Sequence, residues 1–393
     1  MAIVVQKFGG SSVADVAKIG KVADRVAATR AAGKDVVVVV SAMGKTTDEL
    51  LRLAHDVAEN PSRRELDMLL TAGERISMAL LSIALNSRNV PAVSLTGSQS
   101  GILTNDAHAN ARIIEVRPYR VEDELARGKV VIVAGYQGVS YKREVTTLGR
   151  GGSDTTAVAL AAALGAEACE IYSDVDGVYT GDPRVIPGTK RLAEISYEEM
   201  QELAECGAKV LNAQAVEFAK ERGIAIYARA TFQGPGETVV RRMGPEAAAR
   251  VVGIASQKGL VLLALDGDTV PLSALLADLD RHAAGGKELV RRPGSVSTVV
   301  LSLENVHDFP AVRDDLTARY GAALRVHEGV GAVSAVGAGI NASHENLRKT
   351  LDVARACEAE LLGVTTSSFR ISLLLPEAAV DDVARALHAA LMT

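Results

Sequence analysis

Short runs of β-branched apolar residues alternate with longer stretches of helical periodicity through residues 1–245 of this chain. Ile3–Val5, Asp35–Val40, Ala92–Leu95, Val130–Ala134 and Cys169–Tyr172 are the strands this pattern predicts. After the first of them, Val13, Val16, Ile19, Val22 and Val26 recur at spacings of three or four, as one face of a helix requires. Strand and helix in alternation predict an α/β fold, a largely parallel sheet sandwiched by helices.

The pattern changes after the turn-rich stretch Gln233-Gly234-Pro235-Gly236. From residue 250 to 393 the predicted strands are Val251–Ala255, Leu260–Leu265, Ser297–Leu303, Ala332–Val336 and Phe369–Leu375, separated by helical patterns such as Leu272–His282 and Ala379–Leu391. That order fits two small α+β modules of about 70 residues each, a size at which a domain is marginal alone, so the two are expected to pack together.

Composition narrows the function classes. A length of 393 residues requires more than one domain, and 48% hydrophobic with 23% charged residues is ordinary for globular chains. A net charge of −5 without a basic block gives no footprint for nucleic acid. Neither a signal peptide nor an apolar run of membrane-spanning length is apparent, so no membrane partner and a cytoplasmic location are expected. Cys169, Cys206 and Cys357 are widely separated and read as free thiols. The seven histidines, His55, His108 and His344 among them, lack metal-ligand spacing.

Three segments carry chemistry. Lys7-Phe8-Gly9-Gly10-Ser11-Ser12 sits where a strand hands over to a helix. Two glycines allow close approach there, helix-start amides point outward, and Lys7 adds a full charge, so a phosphate is the natural occupant. The bland alternative is a tight turn with Ser11 or Ser12 as helix cap. The spacing is that of neither the P-loop nor GxGxxG. A second glycine-rich loop, Thr147-Leu148-Gly149-Arg150-Gly151-Gly152-Ser153-Asp154-Thr155-Thr156, precedes the apolar helix Ala157–Leu164. It joins amide donors to an arginine able to grip a carboxylate with two bonds, although Asp154 or Thr155 could also serve as an ordinary N-cap. The third, Tyr172–Arg184, packs charged groups and two tyrosines around turn residues directly after a strand, where parallel sheets place their ligands.

These segments, with Ser41–Asp48 and Leu70–Arg75, together closely resemble the aspartate kinase family within the amino-acid kinase fold. The resemblance implies transfer of the γ-phosphoryl group of ATP to the β-carboxylate of L-aspartate, giving 4-phospho-L-aspartate, at the entry to lysine, threonine and methionine biosynthesis. It implies Lys7 and Asp154 as the catalytic pair. Lys7 would lie between the β- and γ-phosphates, with Gly9, Gly10, Ser11 and Ser41 donating to them and Asp154 fixing Lys7. Thr47, Glu74, Arg150, Gly151, Gly152 and Ser153 would hold the substrate, Glu74 facing its ammonium group and Arg150 a carboxylate. Ser173, Asp174, Tyr179, Asp182 and Arg184 would line the nucleotide site, with Lys209 at its phosphates. Mg²⁺ is implied by the triphosphate and not by any protein ligand cluster. Asp154 is not read as a base, because the attacking carboxylate, with a reference pKa of about 4, has no proton to lose.

The region after residue 250 resembles the paired, intertwined ACT regulatory modules of the same family, ferredoxin-like units that imply a homo-oligomer inhibited by lysine or threonine. Two effector loops depart from that pattern, Leu265–Pro271 with Glu288–Pro293, and Asn341–Asn346, so weak or absent inhibition is expected. Asn212 stands where relatives often carry histidine. Two competing readings remain: a kinase acting on glutamate or an aspartate analogue, since one methylene changes binding by only about 1–3 kcal/mol, and a catalytically silent amino-acid-binding paralogue, which the retention of Lys7, Arg150 and Asp154 opposes.

Overall fold

The computed structural model describes all residues except Arg150, Gln233, Pro235, 244–249, 267–268, Ala283, 292–295, His307 and Thr393. Arg150 and parts of the domain boundary and the first effector loop therefore lie outside the described residues. The chain forms two compact units, one made of Met1–Tyr179, Arg191–Glu205 and the chain from Lys209 to the boundary, the other of Thr180–Lys190, Cys206–Ala208 and the chain beyond it.

The first unit begins β1 (Ile3–Phe8), α1 (Val16–Ala31), β2 (Asp35–Val40), α2 (Thr46–Val57), α3 (Arg63–Leu70), α4 (Ala72–Asn86) and β3 (Ala92–Leu95). It continues through β4 (Ile102–Thr104), β5 (Ile113–Val116), α5 (Tyr119–Ala126), β6 (Val130–Ala134), β7 (Gln137–Ser140), β8 (Val145–Thr147), α6 (Gly152–Ala163) and β9 (Ala168–Ser173). It ends with β10 (Glu194–Ile195), α7 (Tyr197–Glu205), α8 (Ala213–Arg222), β11 (Ile226–Ala230) and β12 (Glu237–Val240). Eight strands form one sheet in the order β10-β12-β11-β9-β1-β2-β6-β3, parallel except where β11 meets β12. The central strands β2 and β6 are almost wholly buried valine, isoleucine and alanine, as a sheet covered on both faces demands.

The helical face holds with one correction. Val13, Ile19, Val22 and Val26 are buried, but Val16 is 74% exposed, because α1 begins there after a separate 3₁₀ turn over Gly10–Val13. The helix is capped by Asp15, which accepts from the Lys18 amide at 2.8 Å, and not by Ser11 or Ser12. A further correction concerns membrane-spanning length. The helical stretch Arg63–Asn86 is long and apolar enough by composition. It nonetheless holds buried Asp67 and Glu74, and Met78, Leu81 and Leu85 join the core on β1, β2 and β6, which is how a core helix behaves. A small sheet, β5-β4-β7-β8, has no counterpart among the expected strands, since its strands are short and mix polar with apolar residues.

The second unit contains β13 (Gly253–Asp266), α9 (Leu272–Arg281), β14 (Gly286–Val290), β15 (Val296–Ser302), α10 (Phe309–Tyr320), β16 (Leu324–Val336), α11 (Glu345–Ala356), β17 (Gly363–Thr366), β18 (Arg370–Pro376) and α12 (Val380–Leu391). The two runs predicted at Val251–Ala255 and Leu260–Leu265 are one strand. Its register shifts between Gln257 and Leu262, beside the left-handed glycine Gly259. The sheet order β14-β15-β13-β16-β18-β17 explains the length of β13 and β16. The second half of β13 and the first half of β16 complete one βαββαβ module with α9 and α10, and the other halves complete a second with α11 and α12. Two ferredoxin-like, ACT-like modules are thus intertwined through shared strands. Strands β14 and β17 escape the sequence pattern because, as edges, they are mostly exposed and carry no alternation.

Candidate active site

The site gathers at the carboxyl ends of β1, β2, β6 and β9. At the end of β1, Gly9 donates its amide to the Tyr172 carbonyl at 3.1 Å, and the Phe8 and Tyr172 rings stack with centroids 4.8 Å apart. The Gly9 amide is therefore committed to the sheet, which corrects its expected use as a phosphate donor. Gly10 has a different reason to be glycine. A Cβ there would lie 2.9 Å from the Ala42 carbonyl oxygen, so the loops after β1 and β2 touch through backbone. Gly44 donates to the Gly10 carbonyl at 3.0 Å and secures the same contact. Ser12 is buried against Thr231, their hydroxyls 2.6 Å apart.

The loop after β2 meets the start of α4 just as closely, since a Cβ on Gly73 would lie 2.7 Å from that of Ala42. This approach lets Glu74 accept from the Ala42 amide at 3.1 Å through Oε1, while Oε2 is buried with no hydrogen-bond partner among the described residues. Burial pushes the Glu74 carboxyl up to about 7, with the Ala42 amide pulling the other way. A buried carboxylate with an unused oxygen is built for a cation. Ser41 lies on the same loop, bonded through its backbone to Phe8 and to the Ser77 hydroxyl, and Thr47 stands in the first turn of α2.

The glycine-rich loop leads into α6, which is buried along nearly its whole length. The helix starts at Gly152, with Gly151 at φ +73° as N-cap, so Asp154 and Thr155 stand inside the first turn and neither is the cap. Asp154 reaches back to β1, its Oδ1 2.7 Å from Lys7 Nζ, with both side chains about nine-tenths buried. Ser153 packs beside Gly135, after β6, where a Cβ would come 2.8 Å from its hydroxyl. Lys7, Glu74, Ser153 and Asp154 thus sit on three elements, β1, α4 and α6.

The nucleotide segment divides. Ser173 bonds the backbone of Val175 at 3.3 Å, and Asp174 is exposed at the strand end. Tyr179 donates to Asp176 at 2.7 Å. Asp182 and Arg184 lie on the excursion Thr180–Lys190 that belongs to the second unit, where they pair with each other at 2.8 Å. Lys209 is exposed on the approach to α8.

Two residues outside the expected site, Asn212 and Asp67, also shape it. Asn212 caps α8, accepting from the Ala215 amide at 3.2 Å, and it packs directly over Gly151, where a Cβ would meet its amide nitrogen at 2.3 Å. Asp67, fully buried on α3, holds the segments on either side of Gly149. Its signal was available, as a carboxylate among the buried positions Leu66 and Leu70 of an amphipathic helix.

Lys7 paired with Asp154 beside a glycine turn, with Glu74 buried against the neighbouring loop, is an arrangement in keeping with an ATP-dependent kinase of small amino acids. The family described as the amino acid kinase family matches residues 2–228. The chain is 42% identical to the aspartokinase of Mycolicibacterium smegmatis, over 99% of this chain and 96% of that one. It is 41% identical to that of Geobacillus stearothermophilus, over 99% and 97%. The crystal structure of E. coli aspartokinase III in complex with aspartate and ADP superposes with a TM-score of 0.88 at 25% identity, covering both chains fully. The chain belongs to the amino acid kinase family, in its aspartokinase branch. Its reaction is the ATP-dependent phosphorylation of aspartate.

Proposed function

We propose that Lys7 and Asp154 form the catalytic pair of this reaction. The Lys7 ammonium, held by Asp154, lies against the β- and γ-phosphates, where charge accumulates as the γ-phosphoryl group is transferred. An oxygen of the aspartate β-carboxylate attacks the γ-phosphorus, the bond to the β–γ bridging oxygen breaks, and 4-phospho-L-aspartate and ADP result. No general base is needed. Gly10, Ser11 and Ser41 present donors to the phosphates. Glu74 receives the substrate ammonium on its unused oxygen, Arg150 pairs with a substrate carboxylate, and Thr47, Gly151, Gly152 and Ser153 complete the pocket. Ser173, Asp174, Tyr179 and Lys209 line the nucleotide.

Among the described residues no cluster of three His, Cys, Asp or Glu side chains could hold a metal. The donor set fits a cation that arrives on the triphosphate and is held by phosphate oxygens and water. Mg²⁺ supplies neutralisation of the phosphates there. The ACT-like unit supports a homo-oligomer, and free cysteines accord with work in the cytoplasm, at the start of lysine, threonine and methionine synthesis.

The observation that carries this reading is the 2.7 Å contact between Lys7 and Asp154. ATP-dependent formation of a hydroxamate from aspartate and hydroxylamine tests it, with glutamate in parallel. Turnover with aspartate that Lys7→Ala abolishes is expected. Equal turnover with glutamate, or an active Lys7→Ala protein, overturns it.

A further inference from the structure

Asp67 is fully buried on α3, and among the described residues the donors to its carboxylate come from the two segments that flank the substrate loop. The Thr147 hydroxyl, at the end of β8, donates to its Oδ1 at 2.6 Å. The Ala109 amide, in the loop between β4 and β5, donates to both oxygens at 3.1 and 3.3 Å, and His108 Nδ1 lies 2.6 Å from Oδ2. Ala109 has φ +67°, a left-handed conformation that a non-glycine residue holds only when its surroundings impose it. The two segments are also tied to each other, the Ala111 amide donating to the Thr147 carbonyl at 2.8 Å.

Both lead to Gly149. Thr147 precedes it by two residues, and the 105–112 loop leans on it so closely that a Cβ would lie 2.9 Å from Asn110 Oδ1. A buried carboxylate is expensive unless fully bonded, and an apolar residue would serve a purely structural contact between α3 and β8. The charge is kept where one group can fix two backbone segments at once.

We infer that Asp67 is a positioning residue for aspartate, fixing Thr147 and Ala109 so that Gly149, Gly151 and Gly152 are held ready on the acceptor side of the site. This rests on the reading that Arg150 and its neighbouring glycines hold the substrate. Thr147 and His108 act through the same carboxylate. The largely exposed Arg64–Glu144 pair, 3.0 Å long, joins α3 to the residue just before β8 and serves as the control.

Steady-state kinetics on the full chain separate positioning from general stability. Asp67→Asn and Thr147→Val are each expected to raise KM for aspartate about tenfold, with KM for ATP within about twofold and the double variant no worse than the poorer single one. Arg64→Ala should leave both constants unchanged. Should Asp67→Asn fail to fold, Thr147→Val, close in shape, carries the test alone. KM values that rise together, or an unchanged KM for aspartate beside a raised one in Arg150→Ala, overturn the inference. An unchanged KM for aspartate in Arg150→Ala itself removes the underlying reading instead.

Discussion

Lys7 Nζ and Asp154 Oδ1, 2.7 Å apart, join the penultimate residue of β1 to the first turn of α6, and each is the other's counter-charge in a largely dry setting. Removing the lysine strips the transferring phosphoryl group of its clamp and leaves a buried carboxylate uncompensated. Lys7→Ala should therefore lower kcat at least about a hundredfold and also lower the melting temperature. Lys7→Arg should not restore turnover, because a planar guanidinium does not replace a compact ammonium at a single point. Hydroxamate formation and a thermal melt measure both effects.

Glu74 predicts opposite effects on binding and stability. With its carboxyl near 7, it binds the substrate ammonium only when ionised, so kcat/KM for aspartate should fall as the pH drops below about 7. Stability runs the other way. A folded value above the unfolded 4.5 contributes stability that is present in full below about 4.5 and is lost as the pH rises through 7. Glu74→Gln should thus stabilise the substrate-free protein at pH 8, by up to about 3 kcal/mol, while raising KM for aspartate. Denaturant melts at pH 5 and pH 8 check the sign, with the gain confined to the higher pH.

Gly151 combines a left-handed backbone with a neighbour that leaves no room, Asn212. Gly151→Ala should cost at least 1–2 kcal/mol of stability, roughly, and most of the activity. Asn212→Ala added to it should return part of the loss by removing the clash, but not the part due to φ, and a double-mutant cycle on stability and KM for aspartate separates the two.

The strand-to-helix junctions of this site were legible in the sequence wherever they depend on local spacing. Lys7 with Gly9 and Gly10 stands at a strand end, and Asp154 with Gly151 and Gly152 at a helix start, because charge, amides and glycine must be adjacent in the chain to make such junctions. What escaped depends on tertiary approach. Nothing in a linear reading places Asn212 over Gly151, sends the Gly9 amide to Tyr172, or assigns Asp182 and Arg184 to the second unit. Elements followed the same division. Buried β2 and β6 announce themselves by unbroken apolar runs, whereas the edge strands β14 and β17 and the short strands β4 and β8 have no pattern to read. The shared strands β13 and β16 read as fragments, because a bulge near Gly259 resets their alternation midway.

The second ACT-like module speaks to effector control. At the turn after β16, Asn341 donates to the Ser367 and Arg370 carbonyls at 2.6 and 3.1 Å, and Asn346 donates to the Ile340 carbonyl at 3.0 Å. The Ser343 hydroxyl accepts the Glu345 amide at 3.3 Å. Backbone groups that could grip an amino acid's ammonium are thus already taken by the chain's own side chains. An effector would have to displace these bonds before making its own, and it can shift the enzyme only by the difference in its affinity for two states. Lysine and threonine, singly or together at millimolar concentration, should leave turnover within about twofold of its uninhibited value. Asn341→Ala removes both of its bonds to these carbonyls, so sensitivity appearing in that variant alone would identify the filled turn as the cause, whereas strong inhibition of the unaltered protein would overturn this account.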